Sequence, residues 1–231
     1  MKTLARFAIL VGLLSTVSGV SHADATLNRM RQQLQAVKDY RCEMVLNATL
    51  PQIAVSNMRM ELFYKSPNKV RVKAQEGFAA LPQEGLFLGN PMDEVFERFT
   101  VEPMGESVWQ GRRCIKYSLQ PKKDVNPPFG SFRLYVDKER AVPVGFLGQN
   151  SQGGQMQTVF TYQKFQGKYW LPTRSIITII PPAGAAPQGQ GSRAQSMSGR
   201  AEITFSNYKI NTGLSDSIFV RPDAPGARKK R

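Results

Sequence analysis

Near residue 39 the apolar period of this chain changes from helical to two, and that switch bounds what the chain can fold into. Before it, Leu27, Met30, Leu34 and Val37 recur at helical spacing, which predicts one amphipathic helix over residues 25–38, capped by Asp24 or Thr26. After it, Tyr40, Cys42, Met44, Leu46, Ala48 and Leu50 alternate with Arg41, Glu43, Asn47 and Thr49, the pattern of a long strand with one wet face. Met58, Met60, Leu62 and Tyr64 alternate with Arg59, Glu61 and Lys65 in a second strand. Ser66, Pro67 and Asn68 turn the chain, and Val70, Val72 and Ala74 lead back. Connections this short exclude parallel crossovers, so the strands form an antiparallel meander.

Residues 75–105 break the rhythm. Phe78, Leu81, Leu86, Phe87 and Leu88 are apolar, but Gly77, Pro82, Gly85, Gly89 and Pro91 interrupt any long element. Apolar clusters hinged by glycine and proline suit a lid over an apolar surface, and equally a loop packed on the core. Residues 92–99 fit a short helix with Val95, Phe96 and Phe99 inward. Strands resume at residues 107–120, 131–136, 142–149, 155–165, 168–180 and 201–209, with hairpin connections at 137–140 and 166–168. Residues 181–199 are rich in Pro, Gly, Gln and Ser and read as a flexible loop; residues 223–231 read as a disordered basic tail. The fold class expected is therefore α+β. A strongly curved antiparallel sheet, an open and incomplete β-barrel, wraps the N-terminal helix and the apolar lid segment.

The start of the chain constrains its compartment. Lys2 and Arg6 precede an apolar run at residues 7–14, and Ser21 and Ala23 are small residues where a signal peptidase cuts, so residues 1–23 read as a signal peptide. That run is too short to span a bilayer, which needs about 20 apolar residues. Cleavage after Ala23 makes residues 24–222 a single exported domain and removes His22, the only histidine. Histidine bases, Ser-His or Cys-His nucleophile pairs and His-ligated zinc go with it, so no enzyme, cofactor or metal is expected. Asp137 and Glu139 share a hairpin but lack the spacing of a catalytic carboxylate pair.

The net charge is +14, from 31 Lys and Arg against 17 Asp and Glu. In an exported protein that excess fits anionic headgroups, envelope polymers or an acidic partner better than nucleic acid. Two cysteines, Cys42 and Cys114, are too few for a tetrahedral zinc site, and an isolated pair in an oxidising compartment is expected to form a disulfide. Strand parity cuts against it. Cys42 shares a face with Tyr40 and Met44, Cys114 with Lys116 and Ser118, so a bridge needs a bulge or a strand end.

Several stretches, taken in order, resemble the LolA/LolB-like lipoprotein carriers and their relative RseB. Residues 65–72 (KSPNKVRV) resemble a proline turn and strand carrying an arginine. Residues 134–137 (LYVD) and 142–144 (VPV) resemble a strand pair of that family, and residues 205–219 (FSNYKINTGLSDSIF) its closing strand and late phenylalanine. The resemblance implies an open barrel in the periplasm with a lidded apolar cavity for acyl chains. It also implies an arginine that holds the lid shut, a role that falls on Arg71.

The cavity expected from this reading is lined by Met44, Leu46, Met58, Met60 and Leu62 and by the lid residues Phe78, Leu81 and Phe87; the same residues equally suit an ordinary core. Burial at about 0.8 kcal/mol per CH2 lets such a slot hold an acyl chain with little specific chemistry, and methionines make an adaptable lining. The expected partner is a lipid or an acylated lipoprotein, carried by a monomer toward the outer membrane. The alternative is an RseB-like sensor or protein-interaction module that meets a partner protein of the inner or outer membrane.

Overall fold

Among the described residues, alternation of apolar and polar side chains produces ten strands, all paired antiparallel in one sheet. The computed structural model describes residues 18–50, 53–74, 91–123, 131–151, 153–182 and 198–220. Helix α1 (Ser18–Gln35) is followed by β1 (Asp39–Leu50), β2 (Ile53–Lys65) and β3 (Lys69–Ala74). Helix α2 (Pro91–Arg98) leads into β4 (Phe99–Trp109), β5 (Arg112–Pro121), β6 (Ser131–Asp137), β7 (Pro143–Gln149), β8 (Gln155–Phe165), β9 (Tyr169–Ile180) and β10 (Gly199–Ile210). A 3-10 helix (Asp216–Phe219) follows. The sheet order is β3-β2-β1-β10-β9-β8-β7-β6-β5-β4, so β10 joins two meanders and the sheet stays open between β3 and β4.

Bulges supply the curvature. Register shifts interrupt β1 after Arg41 and after Leu46, opposite Asn207 and Asn57, which take left-handed backbone angles that asparagine tolerates. Alternate residues of nearly every strand then meet α1 in one apolar cluster that includes Met30, Tyr40, Met44, Leu62, Tyr117, Leu134 and Ile203.

Two sequence expectations change here. Residues 107–120 are not one strand: Gln110 and Gly111, with φ of 46° and 77°, turn the chain between β4 and β5. The apolar signal of β4 is weak because it is an edge strand with most residues exposed. Helix α1 also starts at Ser18, before the expected residue 25, and runs through Ala23, which is buried and accepts a 2.6 Å hydrogen bond from the Tyr117 hydroxyl. Residues 1–17 of the expected signal, the lid residues Phe78, Leu81 and Phe87, most of the 181–199 loop and the 223–231 tail lie outside the described residues.

Side chains lock the sheet to α1. Asn211, also left-handed at φ 55°, accepts from the backbone N–H of Lys38 at 2.7 Å and donates to the Ala36 carbonyl at 3.1 Å. The buried Asp39 carboxylate accepts from the N–H groups of Thr212 and Gly213 at 2.9 and 3.0 Å. These bonds tie the end of the helix, the start of β1 and the end of β10 into one corner.

Candidate functional site

The side of the sheet that faces α1 carries the residues expected to line a cavity. Across the β1–β2 register Met44 stands opposite Met60, Leu46 opposite Met58, and Cys42 opposite Leu62. Met44, Leu46, Met60 and Leu62 are buried in the main apolar cluster, and Met58 packs against it half-buried. Five expected residues are thus brought together on one face, continuous with Met156, Phe160, Ile177 and Ile203 from the far strands.

That face is not uniformly apolar. Thr158 on β8 and Ser175 on β9 lie in it, 0% and 3% exposed, and neither hydroxyl has a hydrogen-bond partner. The register sets Thr158 opposite Ile177 and Ser175 opposite Phe160, so the two hydroxyls are diagonal neighbours.

At one end of the apolar face, a pocket of about 460 Å³ opens between α1, α2 and the β2–β3 turn. Leu34, Pro67 and Phe96 supply its apolar walls, and Arg31, Gln35, Asn68 and Glu97 its polar rim. The Arg31 guanidinium lies 4.4 Å from the Phe96 ring centroid, a cation–π contact that holds the rim of α1 over α2. Lys122 caps the C-terminal end of α2, beside the pocket, by donating to the carbonyls of Phe96 and Glu97 at 3.2 and 2.8 Å, a cation where the helix dipole is negative. Sequence periodicity marks Leu34 and Phe96 as inward-facing; it carries no signal that the β2–β3 turn closes a pocket with them.

The lid that Arg71 is expected to hold lies outside the described residues, and the described contacts of Arg71 are with the C-terminal turn. The register partner of Arg71 is Phe63, whereas Val70 and Val72 pair with Tyr64 and Leu62 of the apolar face, so Arg71 points away from the lining. Its Nη1 donates to the carbonyls of Ile218 and Val220 at 2.5 and 2.9 Å. Lys65 and Lys69 add ion pairs to Asp216 at 2.7 and 3.0 Å, which hold its carboxyl below the usual range. The described contacts of this basic hairpin clamp the C-terminal 3-10 helix.

The expected disulfide is absent: both cysteines are free and buried. Cys42 lies in the main cluster against α1, whereas Ile115 takes the inner position on β5 and turns Cys114 to a second cluster on the opposite face. Clean alternation in both strands put the sulfurs on different sides, as their parity implied. Burial pushes the Cys42 thiol up to about 12, an effect that a hydrogen bond with Tyr208 only partly offsets.

No protein-family model matches this sequence, and neither does any curated protein. Solved structures do match. A LolA superfamily protein from Nitrosomonas europaea superposes with a TM-score of 0.59 at 12% identity, over 86% of this chain and 97% of that one. The fold is LolA-like. A DUF1329 family protein from Desulfovibrio piger matches with a TM-score of 0.57 at 15% identity, over 88% of this chain and 98% of that one. A putative outer membrane lipoprotein-sorting protein domain from Vibrio parahaemolyticus matches with a TM-score of 0.50 at 15% identity, over 85% and 97%. The LolA-like arrangement of this chain is the open, curved sheet around α1 described above.

Proposed function

We propose that this protein is a carrier of the cell envelope. In this reading its open sheet takes up acyl chains of lipids or lipoproteins for transfer toward the outer membrane. One observation carries the reading. The open sheet gathers a continuous apolar face, rich in methionine, buried against α1, and a 460 Å³ pocket between α1 and α2 is walled by Leu34 and Phe96, which pack against that face. A buried acyl chain of ordinary length supplies on the order of 10 kcal/mol by transfer from water alone. Segment 75–90, with Phe78, Leu81 and Phe87, joins β3 to α2 beside that pocket in sequence and supplies the lid of the proposal. The lipoprotein-sorting description of the Vibrio domain with the same fold supports this choice.

The export signal belongs to the same proposal. Cleavage after Ala23 leaves Asp24 as the first residue and removes the first turns of α1 with Ala23, keeping the stripe from Leu27 onward; N-terminal sequencing of the envelope fraction should return Asp24. Residues 24–222 then form the working domain, a monomer.

Native mass spectrometry of protein released gently from the periplasm tests the function. Co-purified acyl species are expected, and the delipidated protein should bind a neutral apolar fluorophore such as N-phenyl-1-naphthylamine saturably. A lipid-free protein that ignores the fluorophore but forms a complex with an envelope protein would replace the carrier by a sensor or interaction module.

A further inference from the structure

We propose that the face of the sheet turned away from α1 holds a second binding site, for an organic anion with a compact apolar body. A pocket of about 260 Å³ opens there, on a second apolar cluster that meets the main core only through Phe160 and Tyr162 of its lining. Trp109, Val142, Val144 and Tyr162 form its body, and Arg112 and Arg140 bring two guanidiniums to it from the start of β5 and the turn after β6.

The pocket is built rather than incidental. Trp109 stacks on Tyr135 with centroids 4.1 Å apart. Its indole also lies directly on Gly145, where an added Cβ would stand 2.2 Å from the ring. Only glycine permits that approach, so β7 is shaped to seat the indole. The Trp109 Nε1 donor is buried with no hydrogen-bond partner.

Both guanidiniums keep donors to spare. Asp137, the carboxylate between them, spends Oδ1 on the backbone N–H groups of Glu139 and Arg140, each at 2.9 Å. Its Oδ2 reaches Arg112 only at 3.8 Å. Arg140 has no ion pair among the described residues, and its guanidinium lies 5.6 Å from the Trp170 ring centroid. Forked donors over aromatic and aliphatic walls recognise a carboxylate or phosphate that carries a ring or short aliphatic group. The volume suits a headgroup-sized ligand and is too small for an acyl chain, so this site is independent of the carrier reading.

The chain has two tryptophans, and both belong to this cluster, Trp109 in the lining and Trp170 packed beside it. Intrinsic fluorescence excited at long wavelength therefore reports on this cluster and on no other part of the chain. Titration of the full protein with phenyl phosphate and with benzoate should give a saturable change, and inorganic phosphate or benzyl alcohol should give none. Arg112→Gln and Arg140→Gln should each weaken binding about tenfold while leaving N-phenyl-1-naphthylamine binding unchanged. Gly145→Ala, which displaces the indole, should abolish the response. A wild-type protein blind to both anions, equal responses to benzyl alcohol, or arginine variants of unchanged affinity would overturn the proposal. Loss of naphthylamine binding in the wild type would instead count against the carrier alone.

Discussion

Thr158 and Ser175 show how single groups write against the grain of this interior. Each hydroxyl is buried without a partner, and an unmade buried hydrogen bond costs about 1–3 kcal/mol. Thr158→Val keeps the shape and removes that cost, so it should raise Tm by roughly 2–4 °C in a domain of this size; a fall on thermal unfolding would show the hydroxyl to be bonded. Ser175→Ala removes volume as well and should be closer to neutral. Cys42 and Cys114 make the second residue-scale prediction. Unfolding without reductant should expose two titratable thiols per chain, and neither should react while the protein is folded; one disulfide and no thiols would refute the separation of faces. Folding raises the Cys42 pKa from 9.0 to about 12, so the fold favours the protonated thiol. Its contribution is intact below pH 9 and is lost as pH rises toward 12. Cys42→Ala should flatten that alkaline loss in a pH series of unfolding curves.

Two clamps join elements that the chain order keeps far apart. The corner built by Asp39 and Asn211 fastens α1 and β1 to the end of β10, 172 residues away. Asp39→Ala leaves the Thr212 and Gly213 N–H groups without their acceptor, and should cost about 2 kcal/mol, or roughly 4–8 °C in Tm. The basic hairpin of β2 and β3 behaves differently, because its ion pairs are exposed and contribute little to global stability. Arg71→Leu should leave Tm within about 2 °C of the parent. It should nonetheless speed amide exchange across Ile218 and Val220, whose carbonyls Arg71 holds. A variant with unchanged exchange there would show that Lys65 and Lys69 suffice to hold the turn.

At the scale of the molecule, the open sheet decides what the chain can do: one face is packed on α1 and continues to a pocket, and the other carries a smaller aromatic cluster. If the inner face takes acyl chains, replacing Met44 and Met60, which face each other across β1 and β2, with glutamine should cut naphthylamine binding about tenfold or more by placing amides in the apolar lining. Much of this was legible in the order of residues. Strands and the β2–β3 turn declare themselves by alternation and by Ser66, Pro67 and Asn68, since side-chain direction along a strand follows residue number. The same parity separated Cys42 from Cys114 and gathered Met44, Leu46, Met58, Met60 and Leu62 on one face. Periodicity is a local property, however, and three features are not local. The pairing of β10 between β1 and β9 brings Asn211 to Asp39. The exposed edge strand β4 has no buried face to reveal it. Arg71 meets the C-terminal turn only because β3 is an edge that residues 214–220 can cover. Partners at long sequence separation are chosen by packing and by the satisfaction of buried backbone groups, which tertiary structure alone decides.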